Sequence, residues 1–377
     1  MQFTFTEEQE EFRSVLRRFL EEKSPPTTVR KLMETETGWD RAVFRELNQQ
    51  LGLSAVHIPE AYGGQGFSFV ELGIVLEEMG RSLLCSPYFA STVLAATAIM
   101  NAGSEAQKKD LLPGIADADT IATLAFTEPN GRWDADGVTV TATPAGGGRF
   151  RLDGVKSFVL DGHSADLIIV LARRPGTKGT EGLSFFTVAG DAAGLTRRPL
   201  KVMDPTRKQA LLTFQGVEAS LLGEEGAGAG PFAKTMVQAA ACLANEMVGG
   251  AERLRLSALE YATMRVQFGR SIASFQSMKH KQADMLLDVE LAKSAAYYAA
   301  QAAADDDAEL AAVASLAKAA ASEAYMQTAI HTIQIHGGIG FTWDNDTHLW
   351  FKRAKSSEVF LGGPAWHREQ MMRAWNV

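Results

Sequence analysis

The chain has 377 residues, 46% of them apolar and 22% charged, ordinary values for a folded globular protein and against a long disordered one. At about 150 residues per domain, two or three domains are expected. With 37 basic against 45 acidic residues the net charge is −8, which leaves no basic reservoir to neutralise a phosphate backbone and disfavours nucleic-acid binding. Only Cys85 and Cys242 occur, too few for a disulfide framework or a multi-Cys zinc site. No apolar run of about 18 residues predicts a membrane span. The acidic start, MQFTFTEEQEEF, lacks the charged-then-apolar texture of a leader, so a reducing cytoplasm is the expected compartment.

Three regions follow in chain order. Residues 1–120 read as an N-terminal helical domain. Phe12, Val15, Leu16 and Phe19 recur at helical spacing, and Thr6 with Gln9 forms a capping-box pattern. The stretch ELGIVLEEMGRSL and the small apolar run from Ser91 to Met100 read as further helices around the turn-rich loop IPEAYGGQGFS. Residues 121–225 read as a central β domain. GVTVTATPAGGGRFRLDGVKSFVL alternates like half-buried strands, DLIIVLAR and LSFFTVAG have strand length, and a small antiparallel barrel or sandwich is expected. After the linker-like GEEGAGAG, residues 226–377 are helical again, with long patterns at 232–264 and 275–303 and an Ala-rich stretch suited to close packing in a bundle. The fold class is α+β and multidomain, in the order α, β, α, with no internal repeat.

Familiar catalytic patterns are missing. The seven His are scattered, and His331 and His336 do not stack on one helical turn. No G-x-S-x-G, P-loop or strand-borne G-x-G-x-x-G occurs. What stands out instead are longer strings: LAFTEPNGRWD, RVQFGRSIASFQSMKHKQADM and QIHGGIGFTWDNDTHLWFKRA. The Gly-rich HGGIG offers backbone N–H groups to an anion. Arg265 and Arg270 flank QFG with guanidinium forks suited to a pyrophosphate. Each alone also reads as a turn or a solvated helix face.

Taken together, IPEAYGGQGFSFVELGIVLEEMGRSL, FTEP, R-x-QFG with FQ, and Q-I-H-G-G-x-G-F resemble the signatures of the acyl-CoA dehydrogenase family, over nearly the whole chain. The resemblance implies a helical domain, a β domain and a four-helix C-terminal domain. It implies FAD, an acyl-CoA substrate, an electron-transfer flavoprotein or similar acceptor, and a dimer of dimers or a heterotetramer with a related subunit. Carried over by position, it puts Phe126 and Thr127 at the flavin ring. Phe158 would flank the ring, with Leu160 two residues on offering a backbone N–H. Arg265, Gln267, Phe268, Phe275 and Gln276 would contact the ADP portion of a FAD bound to the neighbouring subunit. Gln334, Ile335, His336, Gly337 and Gly338 would contact its pyrophosphate, and Gly363 completes the cofactor set.

Three departures bear on the chemistry. Trp133 stands where the family has a small hydroxyl residue, and Leu160 where a Thr is common. Leu361, in FLGGPAWHR, occupies the position at which many members carry the catalytic Glu. Desaturation of a thioester removes the α-proton to a base while the β-hydrogen leaves as hydride, so a carboxylate poised by burial is required. The developing enolate oxygen also needs hydrogen-bond donors, and the resemblance implies that one of them is the backbone N–H at that turn. Glu246, whose helical neighbours Cys242, Leu243, Gly249 and Gly250 include no cation, is the candidate base. Relatives with a helix-borne base place it at the position of Ala239, about two turns, or roughly 10 Å, earlier on the same face. Glu246 also reads as a structural carboxylate bonded to a neighbouring helix. Two other functions stay open: a non-catalytic partner subunit of a heterotetramer, and a flavin monooxygenase on the same fold.

Overall fold

The computed structural model describes residues 5–377. Its helices and strands run in the order α1 Glu7–Lys23, α2 Pro26–Met33, α3 Arg41–Leu51, α4 Phe69–Ser82, a π-helical segment Phe89–Ala96 continuing as α5 Thr97–Ala102, and α6 Glu105–Ala116. Then come β1 Ala122–Ala125, β2 Thr141–Gly146, β3 Arg149–Leu160, β4 Leu167–Arg173, β5 Leu183–Ala189, β6 Leu195–Pro199 and β7 Gln209–Leu222. The remainder is α7 Ala229–Met264, β8 Val266–Gln267, β9 Arg270–Ser271, α8 Gln276–Ala304, α9 Leu310–His336, α10 Thr347–Val359 and α11 Pro364–Ala374. The expected capping box is present: Gln9 N–H donates to Thr6 Oγ1 at 3.2 Å, and Thr6 N–H donates to Gln9 Oε1 at 2.9 Å. Ser68 with Glu71 and Ser104 with Gln107 start α4 and α6 the same way, each pair satisfying two N–H groups that a helix start leaves open.

The chain forms two compact units that cut across the three sequence regions. One comprises Lys31–Phe67 and Cys85–Met236. Its sheet runs β1-β4-β2-β3-β7-β5, with β6 on β7, and closes because β4 also pairs β5 along its whole length. The barrel expected from the alternation is therefore there, but it is mixed: β1 lies parallel to β4. The alternation rule gave no hint of this, because β1 is buried at all four positions and carries no period-two pattern, the usual texture of a parallel strand. Ile168, Val170, Phe186, Leu212 and Phe214 fill the interior.

The other unit comprises the residues up to Arg30, Ser68–Leu84 and Val237–Val377. In it α1 and α4 join the C-terminal helices. The long α7 and α8 match the two helical patterns of the sequence, but five helices and the β8–β9 hairpin occupy the region expected to hold four. Helix α1 buries Leu16 and Leu20 and, between apolar neighbours, Arg13, whose guanidinium reaches Glu77 Oε2 of α4 at 2.5 Å. Helices α4 and α7 approach backbone to backbone: a β-carbon on Gly80 would collide with the Glu246 carbonyl, and one on Gly249 with the Glu77 carbonyl.

Candidate active site

In the β unit the chain leaving β1 makes the FTEP turn. Glu128 anchors it. Its carboxylate accepts from Thr139 N–H at 2.8 Å, Val140 N–H at 2.9 Å, the Thr139 hydroxyl, and Lys156 Nζ at 2.8 Å. Burial pushes that carboxyl up, but Lys156 and the other donors outweigh it and hold it below the usual range. Lys156 is wholly buried, which lowers its pKa to about 8 against the pull of Glu128. It also donates to the Phe126 carbonyl at 3.1 Å, and Ser157 N–H donates to the Thr127 carbonyl at 2.9 Å. Both carbonyls of the Phe126–Thr127 pair are thereby fixed, while the Thr127 hydroxyl has no hydrogen-bond partner among the described residues. Trp133 packs 6.0 Å from the Phe126 ring, in a group with Phe232 at 5.8 Å, so the indole fills space that a small residue would leave open.

Phe158 lies where the β3–β7 register slips between Lys156 and Val159. Such a bulge redirects a side chain. Its φ is +58° and its ring is 42% exposed, an arrangement a bulky residue adopts only where the surroundings hold it. Leu160, two residues on, is buried, and its carbonyl accepts from Thr123 Oγ1 at 2.6 Å.

In the helical unit the QFG string is the turn of the β8–β9 hairpin. Phe268 (φ +54°) and Gly269 (φ +77°) both take left-handed backbone, the requirement of a two-residue type I′ turn. The Phe268 ring is 92% exposed, edge-on to Phe275 at 6.2 Å, and the Arg270 guanidinium sits 4.0 Å from the Phe275 centroid. Arg265, Gln267 and Gln276 are exposed beside it. At the end of α9, Gln334, Gly337 and Gly338 are exposed, while the side chains of Ile335 and His336 turn into the bundle. His336 stacks on Tyr261 at 4.3 Å, its Nδ1 lies 2.8 Å from the Thr332 carbonyl, and burial lowers its pKa. Of the run expected at the pyrophosphate, Gln334 exposes its side chain and the two glycines their backbone, while Ile335 and His336 have buried side chains. A β-carbon on Gly338 would meet nothing in this chain, so the bare backbone serves no packing need of its own.

Leu361 follows α10 with φ +60°, and Gly362 follows it with φ +105°. This turn is held from behind by residues the sequence did not single out. Lys318, fully buried in the Ala-rich α9, donates to the carbonyls of Gly362 at 3.1 Å and Glu358 at 3.3 Å and to Ser322 Oγ at 3.0 Å. His367 Nε2 lies 3.1 Å from the Leu361 carbonyl. A carbonyl only accepts, so Nε2 carries the proton. Burial, with Lys318 nearby, pushes the His367 pKa down to about 3. The Leu361 N–H has no hydrogen-bond partner among the described residues. Gly363 then caps α11 ahead of Pro364.

Glu246 is only 5% exposed, on α7. The expectation of a carboxylate without a cation is corrected: Arg353 of α10, itself 4% exposed, places Nη1 3.0 Å from Glu246 Oε1. Neighbours along one helix do not reveal a cation contributed by another. The glycines also serve a different end than expected. Gly249 admits the α4 backbone and Gly250 admits the Tyr325 ring, rather than leaving room for a bulky group. Of the other carboxylates, Glu252 pairs with Arg255 at 2.7 Å and Glu358 with Lys355. Among the described residues no group of three or more His, Cys, Asp or Glu is placed to hold a metal, and no helix is long and apolar enough to cross a membrane.

The β unit thus carries a buried, anchored turn with a free hydroxyl and an exposed aromatic on a bulge, and the helical unit an Arg- and Gln-bearing hairpin and an open glycine pair. The family models agree along the chain: the acyl-CoA dehydrogenase N-terminal domain over residues 6–119, the middle domain over 123–217 and the C-terminal domain over 226–375. The chain belongs to the acyl-CoA dehydrogenase family, FAD-dependent oxidoreductases acting on acyl-CoA. It is 32% identical to acyl-CoA dehydrogenase IpdE2 of Mycobacterium tuberculosis over 358 residues, 95% of this chain and 94% of that one. Among solved structures, butyryl-CoA dehydrogenase of Megasphaera elsdenii superposes with a TM-score of 0.93 at 28% identity, covering all of both chains. The Tcur3481-Tcur3483 steroid ACAD superposes at 0.87 with 29% identity over 98% of each.

Proposed function

We propose that this chain is a subunit of an acyl-CoA dehydrogenase that desaturates an acyl-CoA thioester to the trans-2-enoyl-CoA. The carrying observation is the Leu361 turn: its N–H has no partner among the described residues while His367 and Lys318 tie down the carbonyls around it, which leaves a donor of the kind a thioester oxygen requires on the way to an enolate. FAD, when bound, supplies the hydride acceptor. Phe126, Thr127 and Phe158 would hold its ring. Arg265, Gln267, Phe268, Phe275, Gln276, Gln334, Gly337 and Gly338 would hold its nucleotide part in a neighbouring subunit. Glu246 is our assignment for the α-proton base. Likeness to a steroid ACAD supports a bulky, polycyclic acyl chain as substrate. An electron-transfer flavoprotein or similar protein would take the electrons.

Assembly is supported by apolar surface on the helical unit. Phe268, Phe341, Trp343, Leu287 and Leu291 are all exposed, and such surface on a folded protein marks a contact face. A second reading is favoured by the Glu246–Arg353 pair: the carboxylate is structural, and a related subunit of a heterotetramer supplies the base. Anaerobic titration of the purified FAD-loaded chain with a panel of acyl-CoA thioesters tests both. Bleaching by the chain alone supports the first reading. Bleaching only after a partner subunit is added supports the second, and none in either case rejects the desaturase reading.

A further inference from the structure

We propose that a pocket on the helical unit, formed where the end of α1, the end of α4, α7 and α10 meet, binds a phosphate group. The pocket has a volume of about 280 Å³ and is lined by Ser24, Arg81, Ser82, Arg253 and Trp350, with Glu21 among its residues. None of these is among the residues assigned to flavin or thioester.

The case rests on charge that the chain does not neutralise. The acids nearest Arg81 are already engaged: Glu78 takes both prongs of Arg17 at 2.7 and 2.9 Å, and Glu252 takes Arg255 at 2.7 and 2.8 Å. Neither Arg81 nor Arg253 lies within ion-pair distance of a carboxylate among the described residues. Burial, then Arg17 and Arg253 nearby, lowers the Arg81 pKa against the pull of Glu78 and Glu252. The Arg253 guanidinium lies 5.8 Å from the Trp350 ring centroid. A second, independent observation is the Trp350 indole. It is nine-tenths buried, and its Nε1–H has no hydrogen-bond partner among the described residues. A buried donor left unmet is costly, and native proteins keep few of them.

The pocket therefore brings together two guanidinium groups, neither in an ion pair, a donor set that suits an oxyanion. Paired guanidiniums match the oxygens of phosphate, and the volume exceeds what a carboxylate would fill. The shared chemistry is a phosphate group, carried either by inorganic phosphate or by a phosphomonoester.

The test uses the full chain loaded with FAD, titrated calorimetrically at constant ionic strength with inorganic phosphate and, separately, with AMP. Saturable binding with a Kd of about 1 mM or tighter is expected. It should weaken at least ~10-fold in Arg253→Gln and again in the Arg81→Gln/Arg253→Gln double variant, with FAD content unchanged. Tighter binding of AMP than of phosphate assigns a nucleotide-type phosphomonoester, and equal or weaker binding assigns free phosphate. No saturable heat with either probe, or binding unchanged in the double variant, overturns the proposal.

Discussion

Glu246→Gln tests two assignments with one substitution. The change keeps the volume and removes the carboxylate charge 3.0 Å from Arg353, with both residues buried. Removing one partner of a buried pair costs about 3–5 kcal/mol, because the other charge stays in a low-dielectric site. Gln still presents an acceptor oxygen to the guanidinium, so the lower figure applies. About 3 kcal/mol lowers the melting temperature by roughly 6–12 °C at 2–4 °C per kcal/mol. Arg353→Met should destabilise comparably, and Glu246→Leu/Arg353→Met should recover much of the loss, since an apolar replacement of both partners is often neutral. Flavin bleaching by acyl-CoA then separates the roles. If Glu246 is the base, Glu246→Gln abolishes bleaching with FAD still bound, whereas Arg353→Met, which retains the carboxylate, does not. If both variants melt lower and both still bleach, Glu246 is structural and the base lies elsewhere. A Glu246→Gln protein that melts like the parent would refute the energetic reasoning itself.

Lys318→Met should leave the Gly362 and Glu358 carbonyls short of a donor, at about 1–3 kcal/mol each, and slow bleaching more than it lowers FAD content. Unchanged bleaching would show that the Leu361 turn holds its shape unaided. Phe158→Gly should separate two readouts. Relief of left-handed backbone, worth about 1–2 kcal/mol, offsets the lost packing of a partly exposed ring in the apoprotein, while FAD dissociates faster. Equal FAD affinity would remove Phe158 from the cofactor site. Acid should destabilise the fold through its buried histidines. Burial lowers His57 to about 4 and His367 to about 3, so the unfolded chain takes up protons first as pH falls below about 6.5. Stability tied to each residue is fully present above that pH, with on the order of 2 kcal/mol lost per residue by pH 5. His57→Asn and His367→Asn should each flatten urea-midpoint curves between pH 6.5 and 5, and an unaltered slope would contradict the assignment.

What could be read in advance was what the chain encodes locally. The Thr6–Gln9 box, the two long C-terminal helices and the alternating strands each depend on residues a few positions apart, and each stands where the pattern put it. The strings around Thr127, Phe268 and Gly337 were legible because turns demand particular residues. What could not be read was charge met at long range. Arg13 lies in the first helix, and its partner Glu77 is 64 residues away. Lys318 is a single cation in an Ala-rich helix, and only the fold shows that it ties down carbonyls 40 and 44 residues later. Glu246 illustrates the limit most directly. Judged against its own helix it is a lone acid on an apolar face, and the cation 107 residues away in α10 changes its meaning. Buried ionic groups are expensive unless matched, so a charge inside an apolar pattern implies a partner without naming it.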